Sequence, residues 1–276
     1  MYQWHYTITG DSLGAEARDN FTSSMTEQVC QRELPTLIFL HGWMGSCDDW
    51  AEVIELLKSR FYCIAIDLPG HGKTEVVDDD SGYEFVNTAL GIIQLLDSLG
   101  IDRCTIYGYS FGGRLALYLA LEFPDRFNRV ILESASPGLE TISQRQARTI
   151  SDDQIIQQLA TDNFTDFVTN WYRQPIFIGI DKHPNFPELI QRRLTNLPDH
   201  LAKSLRYAGL GRQPYLGNRL KALKREVLLI VGAKDLKFVE IAQIICQNCQ
   251  YTSLVISPNY SHNIHFQAPQ LWADLL

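Results

Sequence analysis

Six short apolar runs rich in β-branched and aromatic residues punctuate the chain, at 36–40, 61–66, 103–107, 129–132, 226–231 and 252–256. Runs of this length and composition read as strands buried on both faces. Between most of them lie helix-length amphipathic stretches, at 48–58, 83–99, 115–122 and 239–247. This strand-helix alternation predicts an α/β core: a mostly parallel central sheet flanked by helices. One interval breaks the rhythm. From 138 to 223 the pattern is helical and rich in Gln and Arg, with no buried strand, which predicts a helical cap inserted between core segments 1–137 and 224–276. Residues 10–33 are polar and mixed and read as a hairpin or loop before the first buried strand.

Composition bounds the possibilities. A chain of 276 residues, 45% hydrophobic and 20% charged, can bury one sizeable core with a lid rather than several independent domains. The formal net charge of -8 argues against general affinity for nucleic acid or anionic membranes. No apolar run approaches the ~20 residues that span a bilayer, and the start Met1-Tyr2-Gln3-Trp4 lacks a basic, apolar leader pattern, so a cytoplasmic location is expected. Cysteines at 30, 47, 63, 104, 246 and 249 are scattered, as free thiols in a reducing compartment would be. Cys246-Gln247-Asn248-Cys249 is a lone C-x-x-C with no second pair or histidine cluster to complete a zinc site.

Candidate chemistry centres on Gly108-Tyr109-Ser110-Phe111-Gly112, which follows an apolar run and opens a helical stretch. Small residues two before and two after a serine let strand and helix approach while the hydroxyl projects from a sharp turn, a nucleophile elbow. With His41-Gly42, Asp67-Leu68-Pro69-Gly70-His71-Gly72, Asp235 and His262 in this order, the chain resembles the α/β-hydrolase superfamily over nearly its whole length. A serine hydroxyl needs an imidazole to take its proton, and the imidazole needs a carboxylate to fix its tautomer. Ser110, His262 and Asp235 fit those roles. Glu133, just past the preceding strand, is the competing acid. His265 reads as a partly exposed loop residue or a substrate contact. Ser261 stands where relatives usually carry glycine before the histidine. The resemblance further implies an oxyanion hole from the Trp43 and Phe111 N–H groups, and loop-bracing roles for His41 and His71.

Arg114 lies one turn past Ser110, where a buried unpaired guanidinium would cost several kcal/mol. It needs an anion, either a buried carboxylate of the protein or a ligand. Together with Ser136-Pro137-Gly138-Leu139, the 145–148 segment, Asn170-Trp171-Tyr172-Arg173-Gln174-Pro175 and Gly232-Ala233-Lys234-Asp235-Leu236-Lys237-Phe238, it resembles one branch, the 2-succinyl-6-hydroxy-2,4-cyclohexadiene-1-carboxylate synthases of menaquinone and phylloquinone biosynthesis. That resemblance implies a lyase that expels pyruvate from a small polycarboxylate, with no metal or organic cofactor. It implies substrate contacts from Arg114, Arg148 and Arg193, with Tyr109 and Trp171 lining the pocket; Arg192 could replace Arg193. Arg145 and Arg173 read as solvated. The rival readings are a carboxylester or carbon-carbon bond hydrolase with the same triad, and a ligand-binding protein on the same fold.

Overall fold

The computed structural model describes residues 2–10 and 34–276, so the hairpin or loop read at 10–33 lies, apart from Gly10, outside the described residues. In chain order the strands are β1 (Tyr2–Gln3), β2 (Tyr6–Thr9), β3 (Thr36–Leu40), β4 (Tyr62–Ile66), β5 (Glu75–Val76), β6 (Cys104–Tyr109), β7 (Phe127–Glu133), β8 (Glu226–Gly232) and β9 (Thr252–Ser257). The α-helices are α1 (Ala51–Leu57), α2 (Phe85–Ser98), α3 (Phe111–Glu122), α4 (Ile142–Thr161), α5 (Phe164–Trp171), α6 (Phe186–Leu194), α7 (Pro198–Ala208), α8 (Leu236–Asn248), α9 (Ile264–Gln267) and α10 (Gln270–Leu275).

Seven strands form the main sheet in the order β2-β4-β3-β6-β7-β8-β9, antiparallel only at the β2-β4 edge. All six apolar runs are strands of this sheet. The short strands β1, β2 and β5 add to what the pattern predicted: β1 pairs with β5, and β2 closes the sheet edge. Side chains alternate across β3, so Ile38 and Leu40 pack on one face with α2, α3 and α8, while Leu37 and Phe39 pack on the other with α1 and α10. A strand covered on both faces needs apolar residues at every position, and all five residues of β3 and of β4 are buried.

Helices α4 to α7 occupy the long connection from β7 to β8. The first is held by a capping box in which the Thr141 side chain accepts from Gln144 N–H and Gln144 reaches back to Thr141 N–H. Phe167, Val168, Tyr172, Phe177, Ile180, Leu189 and Leu201 of this segment form a third apolar cluster closed from the sheet side by Met44 and Phe266. Leu216, Leu220 and Leu223, also within 138–223, pack instead with the sheet core. No helix among the described residues is long and apolar enough to cross a membrane.

Candidate active site

After β3 the chain builds β4 on one side of the sheet, then returns to build β6 on the other. Open α/β sheets leave a crevice where the strand order reverses, outside the carboxyl ends of the two central strands. Here those ends carry Gly42-Trp43 and Ser110.

Ser110 sits at φ 48°, ψ -104° between β6 and α3, a conformation that a side-chain-bearing residue adopts only under constraint. The constraint is visible in the two flanking glycines. A Cβ on Gly108 would lie 2.3 Å from the Gly112 carbonyl oxygen, and one on Gly112 would lie 2.2 Å from that of Leu40. The turn is pinned further by Ser110 N–H to the Glu133 carbonyl at 2.9 Å and Gly112 N–H to the His41 carbonyl at 3.0 Å. Phe111 opens α3, so its N–H is one of those that the helix itself cannot satisfy.

The hydroxyl of Ser110 lies 3.0 Å from His262 Nε2, and His262 Nδ1 lies 2.6 Å from Asp235 Oδ2. Asp235 is held at the N-cap of α8, where its side chain also accepts from Phe238 N–H. Both His262 and Asp235 are buried, and the imidazole is boxed by the rings of Phe238, Phe177 and Tyr109. The backbone around it is tied at both ends: His262 N–H donates to the Ile176 carbonyl, and its own carbonyl accepts from Ser134 Oγ.

Glu133, the competing acid, points away from His262. Its carboxylate accepts from the Ile264 and His265 N–H groups, from the Tyr107 hydroxyl and from His265 Nδ1. This corrects the reading of His265: it is neither partly exposed nor a cavity residue, but is buried, stacked on Trp50 and bonded to Glu133. His41 Nδ1 donates to the Gly42 carbonyl and Nε2 accepts from Leu68 N–H, so the neutral ring bridges two loops. Burial lowers its pKa and that of His71, which falls to about 3. Ser261 satisfies its N–H and hydroxyl on Gln267. Asp67 braces the 67–73 loop through His5, Cys47 N–H and Lys73 N–H.

A cavity of about 460 Å³ opens above Ser110 and His262, and Trp43, Tyr109, Phe111, Arg114, Arg148, Trp171 and Arg193 all border it. The three arginines differ in what they face. Arg193, 2% exposed, donates to Asp49 at 2.7 Å and to the Tyr172 hydroxyl at 2.7 Å. Burial would raise the Asp49 carboxyl, but Arg193, His265 and Arg192 together outweigh it and hold the group below the usual carboxylate range. Arg148 pairs with Asp152 at 2.7 Å across one helical turn. Among the described residues Arg114 has no such partner. Its guanidinium donates to the Ala208 carbonyl and Gln213 Oε1, over the Phe111 ring. Burial, then Arg148, pushes its pKa down to about 9. Of the alternatives at the third arginine position, Arg193 is the one bordering the cavity, while Arg192 sits behind it on the same Asp49. Arg145 is half-buried, donating to the Leu139 and Glu140 carbonyls, so its reading as solvated is corrected; Arg173 is exposed.

Asp49, Tyr172 and Lys237 also border the cavity. Tyr172 and Lys237 stand in the 170–175 and 232–238 motifs without being singled out there, whereas nothing local marks Asp49 as the counter-ion of a residue 144 positions away. Because Asp49 neutralises a guanidinium taken fully out of water, Asp49→Ala is expected to cost about 3–5 kcal/mol of unfolding free energy in a urea titration. A cost below about 1 kcal/mol would show that Arg193 finds solvent or another partner.

Residues 35–269 match the α/β hydrolase fold family model. The 2-succinyl-6-hydroxy-2,4-cyclohexadiene-1-carboxylate synthase of Escherichia coli K12 is 34% identical over 238 residues, covering 86% of this chain and 90% of that protein. The chain belongs to this synthase family. Its relatives include the Protein PHYLLO, chloroplastic, of Arabidopsis thaliana, 29% identical over 84% of this chain but only 14% of that much longer protein. Among solved structures, MenH from S. aureus superposes with a TM-score of 0.86 at 28% identity, covering 98% of this chain and 96% of that one.

Proposed function

We propose that this chain is a carbon-oxygen lyase that eliminates pyruvate from 2-succinyl-5-enolpyruvyl-6-hydroxy-3-cyclohexene-1-carboxylate, leaving 2-succinyl-6-hydroxy-2,4-cyclohexadiene-1-carboxylate. The observation that carries the reading is Arg114: a half-buried cation beside Ser110 that forms no ion pair with a carboxylate among the described residues, Asp152 nearby being paired with Arg148, in a cavity that also presents Arg148 and Arg193. An acyl pocket for simple esters has no use for that charge. A substrate with three carboxylates does, because bidentate guanidinium contacts suit carboxylates and persist at neutral pH.

The substrate's locants define the electron flow. Loss of the proton at ring carbon 2, next to the succinyl ketone, moves its electron pair into the C2–C3 bond. The C3–C4 double bond shifts to C4–C5, and the C5–O bond breaks to release enolpyruvate, which takes up a proton as pyruvate. Ser110 Oγ accepts the carbon-bound proton as His262 takes the hydroxyl proton, and Asp235 steadies the imidazolium. The N–H groups of Trp43 and Phe111 receive the negative charge that develops on the ketone oxygen. His262 then returns its proton to the departing enolate. The steps require a base, an oxyanion site and fixed cations, all of which the chain's own side chains and backbone can supply.

The test is pyruvate release coupled to NADH oxidation by lactate dehydrogenase. One pyruvate per substrate, with saturation, is expected. No pyruvate alongside efficient cleavage of p-nitrophenyl acetate would replace the lyase reading with an ester hydrolase.

A further inference from the structure

We infer that Glu133 and Ser134 are positioning residues that lock the main chain bearing the His262 base to the elbow bearing Ser110. The inference rests on reading Ser110 and His262 as the reacting pair, and not on which substrate they act upon.

Glu133 is the last residue of β7, in register with Tyr109 on one side and Ile230 on the other. Its carbonyl accepts the Ser110 N–H at 2.9 Å, which fixes the elbow. Its carboxylate, fully buried, accepts the Ile264 N–H at 2.6 Å and the His265 N–H at 3.1 Å, which fixes the two residues that follow the Asn263 turn. Tyr107 and His265 fill the remaining lone pairs, so the carboxylate is satisfied without touching the His262 ring. Ser134 extends the grip. Its N–H holds the Ile230 carbonyl at 3.0 Å and its hydroxyl holds the His262 carbonyl at 2.8 Å. Two consecutive residues therefore grasp the nucleophile's turn with one hand and the base's loop with the other.

The backbone of Ser134 carries the argument furthest. It sits at φ 49°, the left-handed region, where a side-chain-bearing residue is strained and glycine is not. Position 134 nonetheless carries a hydroxyl, and that hydroxyl is spent on the His262 carbonyl. Strain retained where a side chain touches the catalytic loop points to a role in placing that loop. Placement matters because displacing a reacting group by about 1 Å can cost on the order of 10²-fold in rate, and Ser110 Oγ and His262 Nε2 stand at 3.0 Å.

Ser134→Gly separates placement from stability. It deletes the hydroxyl bond while relieving a comparable backbone strain at the cost of glycine's extra chain freedom. The melting temperature is expected to stay within about 3 °C of wild type. Pyruvate-release kcat is expected to fall about 10-fold with KM within about 2-fold, the signature of a contact felt in the transition state and not in substrate binding. A second readout is independent of the substrate: the rate at which a fluorophosphonate labels Ser110 should fall by the same factor. Glu133→Gln keeps an acceptor for Ile264 and His265 but turns the other oxygen into a donor, and should shift both rates in the same direction. Unchanged labelling and kcat in folded Ser134→Gly protein would overturn the inference, as would a loss confined to KM. A wild-type protein inert to the probe would overturn the reacting pair and the lock with it. Slowed labelling in a protein that releases no pyruvate would uphold the lock while the lyase reading falls.

Discussion

Replacing Ser110 with alanine is expected to lower kcat for pyruvate release about 10³- to 10⁴-fold with KM within a few-fold. The hydroxyl bonds to His262 Nε2 and borders the cavity, so on the proposed mechanism its loss removes the group that meets the carbon-bound proton and leaves the arginines in place. Stability should barely change. The strain at position 110 belongs to its backbone, at φ 48°, and alanine carries the same Cβ into it. His262→Ala should match the loss, and the double variant should be little worse than either single one, because groups that act as one unit are not additive. Steady-state kinetics on the three proteins checks this. A Ser110→Ala variant with a tenth or more of wild-type kcat would place the base elsewhere.

Arg114→Met is expected to reduce kcat/KM by about 10²-fold, near the 3 kcal/mol that a desolvated charge partner is worth, while leaving folding stability nearly unchanged. The sign of the stability effect follows from its pKa. Burial and Arg148 depress the folded value to about 9, well below that of a free guanidinium. The charged form therefore weighs against folding at every pH below about 9, and that penalty fades only as pH rises above about 9. Methionine removes the penalty but leaves the Ala208 carbonyl and Gln213 short of a donor, so the unfolding free energy should move by no more than about 1 kcal/mol. On the proposed function, a bound carboxylate supplies the missing charge. Succinylbenzoate, a dicarboxylate related to the product, should raise the melting temperature of wild type more than that of the variant. Wild-type kinetics in Arg114→Met would make the arginine purely structural.

What was readable in the chain depended on whether the signal was local. The inner strands β3, β4, β6, β7 and β8 announced themselves because strands covered on both faces must be apolar at nearly every position, whereas the 252–256 run, also read as buried on both faces, is the edge strand β9 and is only half-buried. The elbow was readable because close backbone approach at 108 and 112 excludes any side chain. Strand β2 escaped because it lies at the sheet edge, where Tyr6–Thr9 mixes apolar and polar residues and is only half-buried. Pairings across long sequence gaps were also hidden. Asp49 with Arg193, and Glu133 with the 264–265 backbone, are made by the topology and leave no mark on neighbouring residues. His265 was misread for the same reason. Its spacing from His262 was plain, but the buried carboxylate that claims it comes from a strand 132 residues earlier.

The Ile176 carbonyl that receives the His262 N–H belongs to the stretch between β7 and β8, not to the strands that carry the rest of the triad. Anyone grafting that stretch from a relative to alter substrate choice inherits a constraint from this single bond. Residues 175–177 must keep their path over the histidine, or the exchange would change the catalyst along with its specificity.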